Sequence, residues 1–253
     1  MKQSLKLVSV LFVLLFTATN AFAQDVYLYV TRHGKTMFNT VQRAQGWADT
    51  PLTPPGIEVA EQLGRGLKKE NVEFVAVYSS DLGRARQTAR IVVASKGDTQ
   101  PVIEMEDFRE TCFGTFEGDI DPVMWSAAGR HLGYKDDVEV MQALAKNEVG
   151  LDQIMDAFKA QDQSGMAEDY KTVKTRMQKA LKTVAQQAQQ QGGGNVLIVT
   201  HGMALLAMIK DMTDQPTNAP VKNASVTKIR YTDDGKFIVE TIGDTSYIDL
   251  GKE

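Results

Sequence analysis

Apolar residues fall into short blocks along the chain, and the spacing inside each block predicts an element. Val26-Tyr27-Leu28-Tyr29-Val30 is a β-branched and aromatic run that reads as a buried strand. Near residue 53 a helix is expected, with Thr53 as N-cap, Pro54 at the first helical position, and Ile57, Ala60, Leu63 and Leu67 along one face. Phe74 to Tyr78 predicts a second strand, followed by a helix capped by Ser80 or Asp81 and running to about Ala94. Pro101 to Met105 predicts a third strand. Val173, Met177, Ala180, Val184 and Ala188 mark a long amphipathic helix over about 168–190, ended by the glycines at 192–194. Asn195 to Thr200 is a strongly apolar strand, and a helix follows His201-Gly202. Two last strands, near 225–231 and 236–242, are joined by an Asp-Asp-Gly turn at 233–235. Strands alternating with helices predict an α/β fold with a mostly parallel central sheet of about six strands and helices on both faces.

Two segments break this rhythm. Residues 117–165 hold no clear strand and are rich in Met, Ala and acidic residues, which predicts a helical insertion near the substrate site. Residues 1–23 read as a signal peptide: Lys2 and Lys6 precede the apolar run Leu7 to Phe16, and Ala21-Phe22-Ala23 is an A-x-A cleavage pattern. That run is about half of the roughly 20 residues that a membrane-spanning helix needs, so cleavage before Gln24 is expected, with an uncleaved anchor as the alternative. Residues 24–253 then form the mature domain, periplasmic or secreted and without a stable membrane anchor.

Composition narrows the chemistry. With 28 Lys and Arg against 32 Asp and Glu the net charge is −4, which argues against a nucleic-acid binder working by bulk positive charge. An anion must therefore meet a local pocket of a few basic groups. The single cysteine, Cys112, excludes an internal disulfide framework and a cysteine-rich zinc site, and it is expected to be a small buried hydrophobe. Of the three histidines, His131 lies in the insertion and is expected to be an ordinary surface or packing residue, as Trp47 and Trp125 are expected to pack.

Three short motifs each follow a predicted strand: Thr31-Arg32-His33-Gly34, Ser79-Ser80-Asp81-Leu82-Gly83-Arg84, and Thr200-His201-Gly202. Ligands of open α/β sheets bind outside the carboxyl ends of strands, so adjacent strands would bring Arg32, His33, Arg84 and His201 to one patch. Two guanidiniums and two imidazoles suit a dianionic phosphoryl group. A neutral imidazole can attack phosphorus, nearby arginines favour its neutral form, and a leaving alkoxide needs a proton. Glu110, in the loop after the third strand, is the best candidate for that acid. A zinc site on His33 and His201 lacks carboxylates at ligand spacing, so no metal and no cofactor are expected.

The stretch Arg32-His33-Gly34-Lys35-Thr36-Met37-Phe38-Asn39 resembles the R-H-G-x-T-x-x-N signature of the histidine phosphatase superfamily, in its phosphoglycerate-mutase-like branch. The resemblance continues through Arg43, Gln45-Gly46, Asp49 to Thr53, Tyr78 to Ala89, Arg109-Glu110, Phe113-Gly114, Phe116-Glu117-Gly118 and Val199 to Gly202. It implies that His33 is the phosphoryl acceptor and Glu110 the acid that later activates water. It also implies that Arg32, Arg84, His201 and Asn39 hold the phosphoryl oxygens, with Thr36 and Gln45-Gly46 as weaker pocket candidates. Lys35 departs from the family, whose members more often carry an acidic or amide side chain there. The function expected is an exported, metal-independent phosphomonoesterase acting on a small phosphorylated substrate. A phosphoglycerate mutase and a non-catalytic phospho-ligand receptor are the alternatives, and neither the natural substrate nor the oligomeric state is specified. The leaving group should be read by the 117–165 segment and the 37–50 loop.

Overall fold

The computed structural model describes residues 25–252, so the expected signal peptide lies outside the described residues. In chain order the first half holds β1 (Val26–Arg32), α1 (Met37–Val41), α2 (Pro54–Lys69), β2 (Phe74–Ser79), α3 (Gly83–Lys96) and β3 (Val102–Glu104). Three helices then fill the interrupted stretch: α4 (Asp121–His131), α5 (Asp137–Ala145) and α6 (Leu151–Gln161). The second half holds α7 (Tyr170–Gln190), β4 (Gly194–Thr200), α8 (Gly202–Ile209), β5 (Val226–Tyr231), β6 (Phe237–Asp244) and α9 (Ser246–Leu250). Among the described residues no helix is long and apolar enough to cross a membrane.

The sheet has six strands in the order β3-β2-β4-β1-β5-β6. β3, β2, β4 and β1 run parallel, while β5 and β6 form an antiparallel pair on the far edge. This is the expected α/β architecture with a mostly parallel sheet. Because the central strands are buried on both faces, their apolar positions need not alternate with polar ones. Leu28, Val30, Val196 and Ile198 pack with Met177 and Leu181 of α7, whereas Tyr29, Leu197 and Val199 pack with Leu63 of α2 and Val92 of α3. Each such fully buried side chain contributes about 1.5–3 kcal/mol relative to exposure.

Strand order and register explain why distant motifs meet. β4 lies between β1 and β2, with Thr200 opposite Arg32 and Val199 opposite Ser79. The carboxyl ends of the three strands are therefore level, and the loops leaving them share one edge.

Local differences from the sequence pattern have identifiable causes. Thr53 caps α2 as expected, accepting from the Gly56 amide at 3.3 Å. The start of α3 is different: it opens at Gly83 after Leu82, which makes no side-chain cap bond. Ser80 Oγ accepts from the Leu82 amide at 3.2 Å, and Asp81 is engaged by the Arg109 fork instead. A bidentate charged pair outcompetes a single capping bond. The short helix α1 has a capping box in which Thr36 Oγ1 accepts from the Asn39 amide and Asn39 Oδ1 accepts from the Thr36 amide, both at 3.2 Å. Helices α4 to α6 bury their own cluster, including Met124, Ala128, Val140, Ile154 and Phe158, against Phe113 and Phe116. Cys112 is buried, as a small hydrophobe would be.

Candidate active site

β1 delivers His33 to the level strand ends, where its backbone amide donates to the Thr200 carbonyl at 3.0 Å. The side chain is tied back through Nδ1, 2.8 Å from the Gly34 carbonyl oxygen. A carbonyl can only accept, so Nδ1 carries the hydrogen and Nε2 is left with a lone pair. His201 stands beside it, with ring centroids 5.2 Å apart. Both rings are buried, at 3% and 0% exposure.

Six buried side-chain polar atoms lack a hydrogen-bond partner among the described residues, and four belong to this site: Arg32 Nε, Arg84 Nε, and Nδ1 and Nε2 of His201. Leaving a buried donor unpaired costs about 1–3 kcal/mol, so their concentration around His33 marks a place for a polar ligand. The remaining guanidinium hydrogens are committed in Arg84 and partly so in Arg32. Arg32 Nη1 donates to the Val221 carbonyl at 2.8 Å. Arg84 Nη1 donates to the Ala48 carbonyl and Asp49 Oδ1, both at 3.0 Å, and its Nη2 donates to the Gly46 carbonyl at 2.7 Å.

Burial is the main cause that pushes the His33 imidazole well below its usual range, and the Arg84 and Arg32 charges add to it. The hydrogen bond to Gly34 opposes this only weakly. His201 is pushed down in the same way, by burial first and then by Arg84, His33, Arg176 and Arg32. Both rings are therefore neutral near pH 7, as a nucleophile and a neutral hydrogen-bond partner require. Arg32 and Arg84 are also lowered by burial, yet a guanidinium starts so high that both remain charged.

Glu110 reaches the site from the loop after β3 and rests on the first turn of α8. Its Oε1 accepts from the Thr111 amide at 2.9 Å and the Ala204 amide at 2.7 Å, and Oε2 accepts from the Met203 amide at 3.0 Å. His201, the residue before α8, makes no side-chain cap, so Glu110 caps that helix from outside its own segment. Oε1 has both lone pairs occupied and Oε2 has one free, which makes Oε2 the oxygen able to carry a proton.

A cavity of about 350 Å³ opens over this group, lined by Arg32, His33, Asn39, Gln45 and Glu110 among others. The remaining proposed residues lie off its wall. Arg84 and His201 are buried, at 1% and 0% exposure, and the His201 ring lies beside His33. Thr36 is buried and donates to Gln45 Oε1 at 2.6 Å, supporting that side chain from behind. Gly46 contributes its backbone: a Cβ there would overlap the Thr111 carbonyl oxygen and Glu117 Oε1. Among the described residues no group of three or more His, Cys, Asp or Glu side chains is placed to hold a metal ion.

With this geometry in hand, residues 28–245 match the model of the histidine phosphatase superfamily, branch 1. The chain belongs to the histidine phosphatase superfamily. Within the superfamily it is 29% identical to a broad-specificity phosphatase of Saccharomyces cerevisiae over 90% of this chain and 89% of that protein. It is 28% identical to a metal-independent phosphoserine phosphatase of Arabidopsis thaliana, covering 87% of this chain and 82% of the relative. A crystal structure of phosphoglycerate mutase from Bacillus anthracis is similar at 41% identity and a TM-score of 0.85, covering 92% of this chain and 99% of that one.

Other residues of this histidine phosphatase were given no role by the sequence. Glu117 accepts from the amides of Gly46, Trp47, Ala48 and Phe113 at 2.8–3.1 Å, folding the 45–49 loop that seats Arg84. Arg176 of α7 donates to the carbonyls of Asp107, Arg109 and Glu110 at 2.7–2.9 Å and pairs bidentately with Glu168 at 2.8 Å. Asn223 donates to the His33 carbonyl at 2.8 Å from the loop before β5. Each is a polar residue bonding to backbone far away in sequence, a relation that periodicity and spacing do not encode. Asp49 and Glu117 carried a signal, since their stretches belong to the family resemblance, and Asp49 pairs with Arg84 at 3.0 Å. Trp125, expected only to pack, meets Phe158 edge-on and also lines the cavity.

Proposed function

We propose that this histidine phosphatase is an exported phosphomonoesterase acting through a phosphohistidine at His33, with no metal in the chemistry. One observation carries the reading: His33 Nε2 is the free nitrogen of a buried neutral imidazole, set among buried guanidinium and imidazole nitrogens that lack partners. A bound phosphate ester would meet Arg32, Arg84, His201 and Asn39 through its oxygens. Nε2 forms a bond to phosphorus as the ester P–O bond breaks, and the departing oxygen takes the proton of Glu110. The Glu110 carboxylate then removes a proton from water, whose oxygen attacks phosphorus and breaks the P–N bond. Inorganic phosphate and the starting His33 and Glu110 result.

The relatives named as phosphatases support hydrolysis. The Bacillus anthracis structure, named as a phosphoglycerate mutase, favours phosphoryl transfer between hydroxyls as a second reading. The two separate on incubation with 3-phosphoglycerate: a mutase gives 2-phosphoglycerate faster than it gives inorganic phosphate, and a phosphatase does the reverse. Export rests on Lys2, Lys6, the Leu7–Phe16 run and Ala21-Phe22-Ala23, and N-terminal sequencing of the secreted protein should begin at Gln24.

The deciding experiment quenches turnover of a chromogenic phosphate ester and maps the label by mass spectrometry. An acid-labile phosphoryl group on His33 is expected, and turnover should resist EDTA. A label on another residue, or loss of activity on chelation, would remove this mechanism.

A further inference from the structure

Beyond the phosphoryl end, the cavity is built mainly from apolar side chains of the helical insertion and of α8. Met124 and Trp125 come from α4, Met141 and Leu144 from α5, and Met203 and Leu206 from α8. Of these, Met141 is 49% exposed, so an apolar side chain stands where the cavity meets solvent.

Charge in the leaving-group region is sparse. Arg32 and Arg43 are the only arginines or lysines among the described lining residues. Arg32 lies at the phosphoryl end, and Arg43 is bonded to the Gly118 carbonyl at 2.5 Å. Asp121, at the start of α4, also lines the cavity and is half-buried. Burial pushes its carboxyl above the ordinary range, against the pull of the Arg32 charge. A leaving group with a carboxylate would lose its water against methionine and tryptophan and would approach Asp121 as a like charge, with Arg43, exposed and holding one carbonyl, as the single lining cation beyond the phosphoryl end.

Resting on the phosphatase reading above, we propose that this enzyme takes phosphate monoesters of uncharged, apolar alcohols or phenols, and that Asp121 is a specificity-determining residue disfavouring esters that carry a carboxylate. Two relatives bear names that imply carboxylate-bearing substrates, phosphoserine and phosphoglycerate. The inference therefore separates this chain from them on the composition of its own cavity.

The test compares kcat/KM for hexyl phosphate, 1-naphthyl phosphate, O-phosphoserine and 3-phosphoglycerate on the mature enzyme. Hexyl phosphate removes the advantage of an acidic leaving group, so its ratio to 3-phosphoglycerate reports on the cavity alone. That ratio should exceed about tenfold, the least that burying apolar groups of this size contributes to discrimination. In Asp121→Asn the ratio of 3-phosphoglycerate to hexyl phosphate should rise by about tenfold. Met141→Arg, at an exposed position that folding does not depend on, should raise it too. Trp125→Ala should lower kcat/KM for 1-naphthyl phosphate more than for ethyl phosphate. Equal or faster hydrolysis of 3-phosphoglycerate by the unaltered enzyme, or ratios unmoved by both Asp121→Asn and Met141→Arg, would overturn the specificity while leaving the phosphatase intact. Absence of turnover with every ester, together with absence of a His33 adduct, would instead remove the phosphatase reading and this inference with it.

Discussion

His33 and Glu110 differ in what their surroundings ask of them, and substitutions can separate the two. His33→Ala should abolish turnover, by at least about 10³-fold, while the circular dichroism spectrum and Tm show a folded protein. The fold survives because the ring makes a single hydrogen bond, to its own neighbour's carbonyl. Residual activity within tenfold of the unaltered enzyme would exclude His33 as the nucleophile. Glu110→Gln should slow alkyl phosphates by about 10²–10⁴-fold and activated aryl phosphates much less, because only an alkoxide of high pKa needs the proton. Equal slowing of both would argue against an acid at this position. These two residues were legible in sequence because each lies in a short motif next to a strand end. Asp121 and Asn223 were not, since neither belongs to a motif: Asp121 lines the cavity from the start of α4, and Asn223 reaches the His33 carbonyl from a loop whose path only the folded chain defines.

At the scale of elements, strands and amphipathic helices could be read directly because burial imposes a period on them. All five residues named for α7 are buried, and the central strands match their apolar runs. Short elements were less legible: α1 spans five residues, too few to show a period, although Asn39 of its capping box does line the cavity. The start of α3 was placed on Ser80 or Asp81 because local rules omit the competing Arg109. Loops that bear the site depend on such long-range partners, and Glu117 is the one to test. In Glu117→Gln the amide nitrogen cannot accept from the backbone N–H groups that the second carboxylate oxygen now holds. A loss of about 1–3 kcal/mol is expected, lowering Tm by roughly 2–4 °C per kcal/mol. Loosening the 45–49 loop should also shift Arg84 and raise KM for phosphate esters. A Tm drop without any change in KM would show that the loop does not hold Arg84 in place for binding.

At the scale of the whole molecule, two buried neutral histidines should shape stability against pH. His33 and His201 both have folded-state values well below 6.5, whereas the unfolded chain titrates near 6.5. Below that pH the unfolded state binds protons that the folded state does not, so acidification favours unfolding. Stability should therefore climb with rising pH up to about 6.5 and level off above it. The slope is about 1.4 kcal/mol per pH unit for each histidine while the pH lies between its two values. The depressed carboxyls of Asp81, Asp152 and Asp211 have the same sign but act in a lower window, losing their contribution as pH falls below the ordinary carboxylate range. Between about pH 5 and 6.5 the two buried histidines should dominate, since those carboxyls act in the lower window. Urea unfolding at half-unit pH steps measures the slope, and His201→Gln should roughly halve it in that window. A flat profile between pH 5 and 6.5 would mean that neither imidazole is held neutral inside the folded protein. The electrostatic basis for a neutral nucleophile at position 33 would fail with it.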